Sequence, residues 1–131
     1  MSEDLSPLDD PVAGPFFAAI RDGRLTVQRC DACTALRWPP LPGCPECHSR
    51  ATTWVDVAPK GTIWSFVVYH RAFHASLREQ IPYTVAMVEL DDGPYLVGRL
   101  APGERPPAVG DRVVAEIGEF AGVPSVRWRL A

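Results

Sequence analysis

Several things are scarce in this sequence, and each scarcity narrows what the chain can be. No apolar run approaches the ~20 residues that a membrane-spanning helix needs. The longest, Phe66-Val67-Val68-Tyr69, is the length of a strand. The opening residues MSEDLSPLDD are acidic and lack both a basic start and an apolar core, unlike a secretory signal. The chain therefore reads as soluble and cytoplasmic. Positive charge is not in excess: 13 Lys and Arg against 16 Asp and Glu leave a formal charge of −3. Nucleic-acid binders draw much of their affinity from phosphate neutralisation and carry a basic footprint, so the balance offers nothing for DNA or RNA. There is no glycine-rich phosphate loop, and no serine or cysteine stands in a recognisable nucleophile motif. The 131 residues hold one ordinary domain, or a small one with a smaller appendage.

Cysteine is the residue whose placement carries information. All 4 cysteines fall between positions 30 and 47, as Cys30-Asp-Ala-Cys33 and Cys44-Pro-Glu-Cys47. A tight turn with two intervening residues presents two sulfurs to one ion, and two such turns facing each other complete a tetrahedral thiolate shell. The Pro39-Pro40-Leu41-Pro42-Gly43 stretch between them is rich in turn formers and brings the chain back on itself. Two disulfides would require an oxidising compartment, and a thioredoxin-type pair would need one such motif on a βαβ pattern. Zinc is the expected metal, with iron the alternative for the same four thiolates. The role is structural, because four protein ligands leave no open position for substrate. His48, just past the last cysteine, is the competing ligand and is expected to be exposed.

Along the chain, residues 1–10 look frayed, and Asp9 or Asp10 precedes a short helix whose apolar face is Phe16, Phe17 and Ile20 and whose end is Asp22-Gly23. Leu25 to Arg29 alternates as a strand into the first cysteine turn, and Arg37-Trp38 is a short return. Strands follow at Thr53–Val57, Thr62–His70, Tyr83–Leu90, Tyr95–Leu100, Arg112–Ile117 and Val123–Leu130, with turns at Pro59-Lys60-Gly61 and Asp91-Asp92-Gly93-Pro94. An irregular stretch from Arg71 to Pro82 has room for one helical turn at Ser76–Glu79. About five strands with one long irregular connection fit a small Greek-key barrel of the OB type. A sandwich would need about seven. The expected fold is thus mainly β: a tail and short helix over 1–24, a four-cysteine zinc ribbon over 25–50, and a five-stranded OB-type barrel over 51–131.

These pieces together resemble a known family. The matching residues are Phe16-Phe17, Gly23-Arg24-Leu25, Gln28-Arg29-Cys30-Asp-Ala-Cys33, Arg37-Trp38-Pro39-Pro40, Cys44-Pro45-Glu46-Cys47 and Trp54. The barrel part adds Gly61-Thr62-Ile63-Trp64-Ser65, His70-Arg71-Ala72-Phe73, Pro82-Tyr83 and Val88-Glu89-Leu90-Asp91-Asp92-Gly93. The chain is similar to the acyl-CoA-associated OB-fold proteins with an N-terminal rubredoxin-like zinc ribbon, the domain of unknown function numbered thirty-five. One departure stands out: Thr34 occupies the position after the second ribbon cysteine, where the family has glycine. The resemblance implies a separate subunit that accompanies a thiolase-like enzyme, as in steroid side-chain aldolases. The partner does the chemistry, while the small protein shapes an acyl-CoA channel and holds the complex together. It also implies acyl-CoA as a ligand, with neither nucleic acid nor membrane as partner.

No catalytic residue is assigned. His70 and His74 have the right range of acidity for acid–base work but share no motif with a nucleophile. Asp91 and Asp92 lie in a hairpin turn, where aspartate serves the local backbone. Contact candidates for acyl-CoA or a partner are Trp38, Trp64, His70, Arg71, Phe73 and Tyr83. Arg29, Arg37, Lys60 and Arg71 are candidates for coenzyme A phosphates. By alternation, Trp64, Phe66 and His70 share one face of the long strand, and Ile63, Val67 and Tyr69 the other. Two rival readings remain: a nucleic-acid-binding OB and zinc-ribbon module, and a freestanding enzyme using His70 or His74.

Overall fold

The computed structural model describes residues 7–72, 75, 78–120 and 122–131. Helix α1 spans Gly14–Arg21. The Asp10 carboxylate accepts hydrogen bonds from the backbone N–H groups of Val12 and Ala13, both at 2.8 Å, so it caps the turn that leads into the helix. Phe16, Ala19 and Ile20 form the buried stripe. The helix ends where Gly23 takes φ +79°, which lets its own N–H reach the Ile20 carbonyl and that of Arg24 reach Ala19.

Strands β1 (Thr26–Cys30), β2 (Leu36–Arg37) and β3 (Thr52–Asp56) form a three-stranded antiparallel sheet with β1 at its centre. Strand β3, grouped on sequence with the barrel, pairs instead along the whole of β1, from Thr26 opposite Asp56 to Cys30 opposite Thr52. The reason is local. A ribbon that ended at residue 50 would leave one side of β1 unpaired, and the buried residues Thr26, Val27 and Gln28 need their backbone groups satisfied.

The remaining strands are β4 (Lys60–Tyr69), β5 (Tyr83–Leu90), β6 (Tyr95–Leu100), β7 (Arg112–Phe120) and β8 (Val123–Leu130). They close a barrel in the order β4-β5-β6-β8-β7, with β6 and β8 parallel. Five strands closed in this order, with one parallel pair, make the expected OB-type barrel. Ile63, Ala86, Val88, Leu90, Leu96, Val113 and Trp128 fill its interior. At the hairpin between β5 and β6, the Arg112 guanidinium grips both oxygens of Asp91, at 2.7 and 2.8 Å, and holds its carboxyl below the usual range. The Asp92 carboxylate accepts from the Ala58 N–H. Neither bonds within its own turn as expected: Asp91 ties the hairpin to Arg112 of β7, and Asp92 ties it to the backbone at Ala58.

The face assignment along β4 needs correction. Ile63 lies opposite Val88, but the next pair is Ser65 opposite Met87, so Trp64 is the extra residue of a bulge. Beyond it the alternation is inverted. Phe66 pairs with the fully buried Ala86 and shares the inner face with Ile63, while Val67 and Tyr69 pair with Val85 and Tyr83 on the outer face. The helical turn expected at Ser76–Glu79 lies partly outside the described residues, and Arg78 to Gln80 form a turn.

The chain divides into two compact units. One comprises residues 1–58, 92–94 and 117–125; the other comprises 59–91, 95–116 and 126–131. In the second unit, Gly98 faces Ala86 across the sheet and leaves room for the buried Trp128 indole. A Cβ on Gly98 would lie 2.6 Å from the indole nitrogen. Gly98→Ala is expected to destabilise the chain by about 1–3 kcal/mol through overpacking, read as a lower midpoint of urea unfolding. An unchanged midpoint would mean that the indole moves aside freely.

Candidate metal centre and outer barrel face

Two turns of near-identical construction hold the cysteines. In the first, the Cys30 N–H bonds to the Ala35 carbonyl at 2.9 Å and the Thr34 N–H to the Cys30 carbonyl at 2.8 Å. In the second, the Cys44 N–H bonds to Ser49 and the His48 N–H to Cys44, each at 2.8 Å. Each turn passes through a left-handed residue just after its second cysteine: Thr34 and His48 both have φ +67°. The departure from glycine at Thr34 thus leaves the turn's shape intact. His48 is exposed and serves as the second turn's left-handed residue, outside the sulfur cluster.

The four Sγ atoms lie within 4.8 Å of one another, with Cys30 to Cys47 at 3.5 Å and Cys33 to Cys44 at 3.6 Å. A tetrahedron of sulfurs ~2.3 Å from a central ion has edges of ~3.8 Å, so the donor set fits one four-coordinate metal. Cys30 and Cys44 are buried; Cys33 and Cys47 reach the surface. Backbone N–H groups point into the cluster, as Glu46 N–H does to the Cys44 sulfur at 3.3 Å. In the metal-free chain the N–H groups of Cys33 and Ala32 outweigh burial and hold the Cys30 thiol down at about 6. The Ala35 N–H pulls the Cys33 thiol down, but hydrogen bonding to Cys44, burial and the neighbouring sulfurs push it up to about 12. In the second turn the Cys47 and Glu46 N–H groups likewise hold the Cys44 thiol down, while Cys47 is pushed up, so the first cysteine of each turn is the more acidic; binding a metal to four thiolates releases protons.

The other candidates are scattered. Trp38 is half-buried and packs on Phe16, ring centres 5.7 Å apart. Trp64 is 56% exposed and meets Tyr95 edge-on at 5.5 Å. Tyr83 stacks on Tyr69 at 5.1 Å, and the Arg99 guanidinium lies over its ring at 4.2 Å. His70 and Arg71 are exposed just past the end of β4. Phe73 and His74 lie outside the described residues. Of the cations considered for phosphate, Arg29, Lys60 and Arg71 are exposed, whereas Arg37 is buried.

What the sequence reading missed is a face. On the outer side of β4, β5 and β6 the register brings together Val67 with Val85, Met87 with Val97, and Tyr69 with Tyr83. Trp64 and Tyr95 close one end. Val67 is 52% exposed and Val97 44%, on the side of a barrel wall where alternation should place polar residues. The charged members, Glu89 and Arg99, are of opposite sign. The signal was present in Val85-Ala86-Met87-Val88, a run apolar at both parities, which marks a strand covered on both faces.

A rubredoxin-like four-cysteine ribbon followed by a closed OB-type barrel defines the class of this protein. Residues 17–53 match the family described as "ChsH2, rubredoxin-like zinc ribbon domain", and residues 54–118 match "ChsH2, C-terminal OB-fold domain". A solved structure titled "Ltp2-ChsH2(DUF35) aldolase" contains a chain 34% identical to this one, with a TM-score of 0.81. The match covers 92% of this chain and 95% of that one. The chain belongs to the ChsH2 family of DUF35 proteins. It is also 42% identical over 85 residues to a probable enoyl-CoA hydratase alpha subunit of Thermomonospora curvata. Over the same number of residues it is 32% identical to the 3-oxo-4,17-pregnadiene-20-carboxyl-CoA hydratase alpha subunit of Mycobacterium tuberculosis. Each of these matches covers 65% of this chain but only 26% of the relative, so the chain spans about a quarter of their length.

Thr34 yields a test on the ribbon. A β-branched residue held at positive φ is strained by roughly 1–2 kcal/mol. Glycine relieves that at an unfolded-state cost of roughly 0.5–1 kcal/mol. Thr34→Gly is expected to raise the stability of the metal-loaded chain by up to about 1 kcal/mol, measured by urea unfolding. A lower midpoint would mean that the Thr34 hydroxyl's bond to the Cys33 carbonyl outweighs the strain.

Proposed function

We propose that this chain is a non-catalytic accessory subunit of a thiolase-like enzyme acting on acyl-CoA substrates. The partner cleaves a carbon–carbon bond, by retro-aldol or thiolytic chemistry, in the breakdown of a steroid- or lipid-derived acyl thioester. The chain completes the acyl-CoA site and steadies the assembly, and one zinc ion in the cysteine cluster holds its ribbon rigid. The observation that carries this reading is the outer barrel face. An apolar wall made by Val67, Val85, Met87 and Val97 and ended by aromatic pairs has the make-up of an interface core. The near-complete match to a chain of an aldolase named for two proteins supports a protein as its occupant. The hydratase relatives, both named for CoA thioesters, support the substrate class.

Trp64 and Tyr83 stand on this face, and His70 and Arg71 lie just past β4; we take these, with Phe73, as the contact set. Trp38, packed on Phe16, supports the ribbon loop rather than a ligand. The same face weighs against the nucleic-acid alternative, because single-strand sites combine aromatic platforms with a positive groove. Here the aromatic ends flank valines and a charge-balanced pair.

The test is affinity capture of the tagged chain from its native host, beside a Val67→Glu, Val97→Glu double variant. A thiolase-like protein is expected in stoichiometric amount with the natural chain. With the variant it should fall at least tenfold, while the circular dichroism of the purified variant stays unchanged. Recovery of the chain alone, or with nucleic acid, would overturn the accessory-subunit reading. Equal recovery with the variant would move the interface elsewhere.

A further inference from the structure

Arg37 is the one arginine among the described residues that is buried, at 7% exposure. It sits on β2 directly opposite Gln28, and its Nη2 donates to the Thr52 hydroxyl at 2.8 Å and to the Leu41 carbonyl at 3.3 Å. The Gln28 side chain accepts from the Leu41 N–H at 2.8 Å, so both polar groups clamp the same loop residue between the two cysteine turns. These bonds use one of three nitrogens. Nε and Nη1 are buried without any hydrogen-bond partner, and among the described residues no carboxylate pairs with the guanidinium. A buried cation left this way is unfavourable unless an opposite charge lies nearby.

Two observations locate that charge. Thr52, which receives the Arg37 bond, lies opposite Cys30 in the β1–β3 register. Arg37 also lines a cavity of about 380 Å³ together with Cys33 and Cys44. Arg37 thus bonds to the residue paired with Cys30 and shares a pocket wall with Cys33 and Cys44. A divalent ion in four thiolates carries a net charge of −2, and a cation nearby stabilises such a centre most on its buried side, where Cys30 and Cys44 lie. Glu46, on the same cavity wall, adds negative charge.

We infer that Arg37 is the counter-cation of the metal centre and that its charge, more than its loop contacts, keeps the metal bound. It acts on the thiolates through its charge and is not itself a ligand. Through the same guanidinium, metal binding is joined to the order of the loop at Leu41, and next to that loop Trp38 packs on Phe16.

The experiment loads the full chain with Co²⁺ and then with Zn²⁺ and follows transfer of the metal to a chromogenic chelator. It compares the natural chain with Arg37→Met, Arg37→Lys and Thr52→Val. Arg37→Met removes the charge at similar length, Arg37→Lys keeps charge without the fork, and Thr52→Val removes the shorter of the two Arg37 hydrogen bonds while keeping the charge. Arg37→Met is expected to lose metal at least tenfold faster, with Arg37→Lys and Thr52→Val within about threefold of the natural chain. Loss of the cation should also move the thiolate-to-cobalt absorption of Arg37→Met to longer wavelength, which a slackened loop would not do. The inference is overturned if Arg37→Met keeps metal like the natural chain. It is overturned equally if Thr52→Val loses metal as fast as Arg37→Met. Should Arg37→Met fail to fold, Arg37→Lys against Thr52→Val decides: slow loss from both supports the charge, and fast loss from either overturns it.

Discussion

Four sulfurs gathered within 4.8 Å of one another are the constraint on which the N-terminal unit depends. The segment from Cys30 to Ser49 contributes almost nothing to a hydrophobic core beyond the cysteines themselves, and it contains only the two-residue strand β2. Without a tetrahedral ion there is little to keep its two turns facing each other. With one, every other feature of the ribbon follows: the left-handed residues at Thr34 and His48, the backbone N–H groups aimed at sulfur, and the buried Arg37. Strand β3 then has a reason to leave the barrel's side of the sequence and complete the sheet around β1.

The second unit is governed by closure. A barrel closed in this order offers little free edge for adding a strand, so side chains on its wall are the main surface it presents to a partner. That makes the composition of the outer wall decisive. The bulge at Trp64 sets this composition, because one extra residue inverts which side chains of β4 point outward. Phe66 is thereby turned to the inside, and Val67 and Tyr69 to the outside beside Val85 and Tyr83. A barrel with an apolar inside and an apolar patch outside suits a molecule that works as part of an assembly.

Much of this was legible before any coordinates. The strands Tyr83–Leu90, Tyr95–Leu100 and Val123–Leu130 fall where turn residues and β-branched runs place them, and the metal cluster is the one that paired cysteine spacing implies. Thr34 was recognisable as a strained position because the family it resembles has glycine there, and its φ of +67° agrees. Other features were hidden for definite reasons. Pairing partners of a short strand such as β3 depend on what else needs hydrogen bonds. A bulge has no residue signature in Ile63-Trp64-Ser65, and misjudging it reverses every residue downstream. His48 is the equivalent of Thr34 in the second turn, yet nothing in its identity says so.

The sequence by itself determined the chemistry that local spacing controls: four thiolates for one metal, a helix that stops at Gly23, and strands enough for a small barrel. Its physical basis is that ligand spacing, capping and turn formation act over a few residues. Only the tertiary structure decided which side chains look outward from the wall, that Arg37 alone of the described arginines is buried, and which strand completes the ribbon. Those outcomes depend on register and burial, and both are set by contacts between residues far apart in the chain.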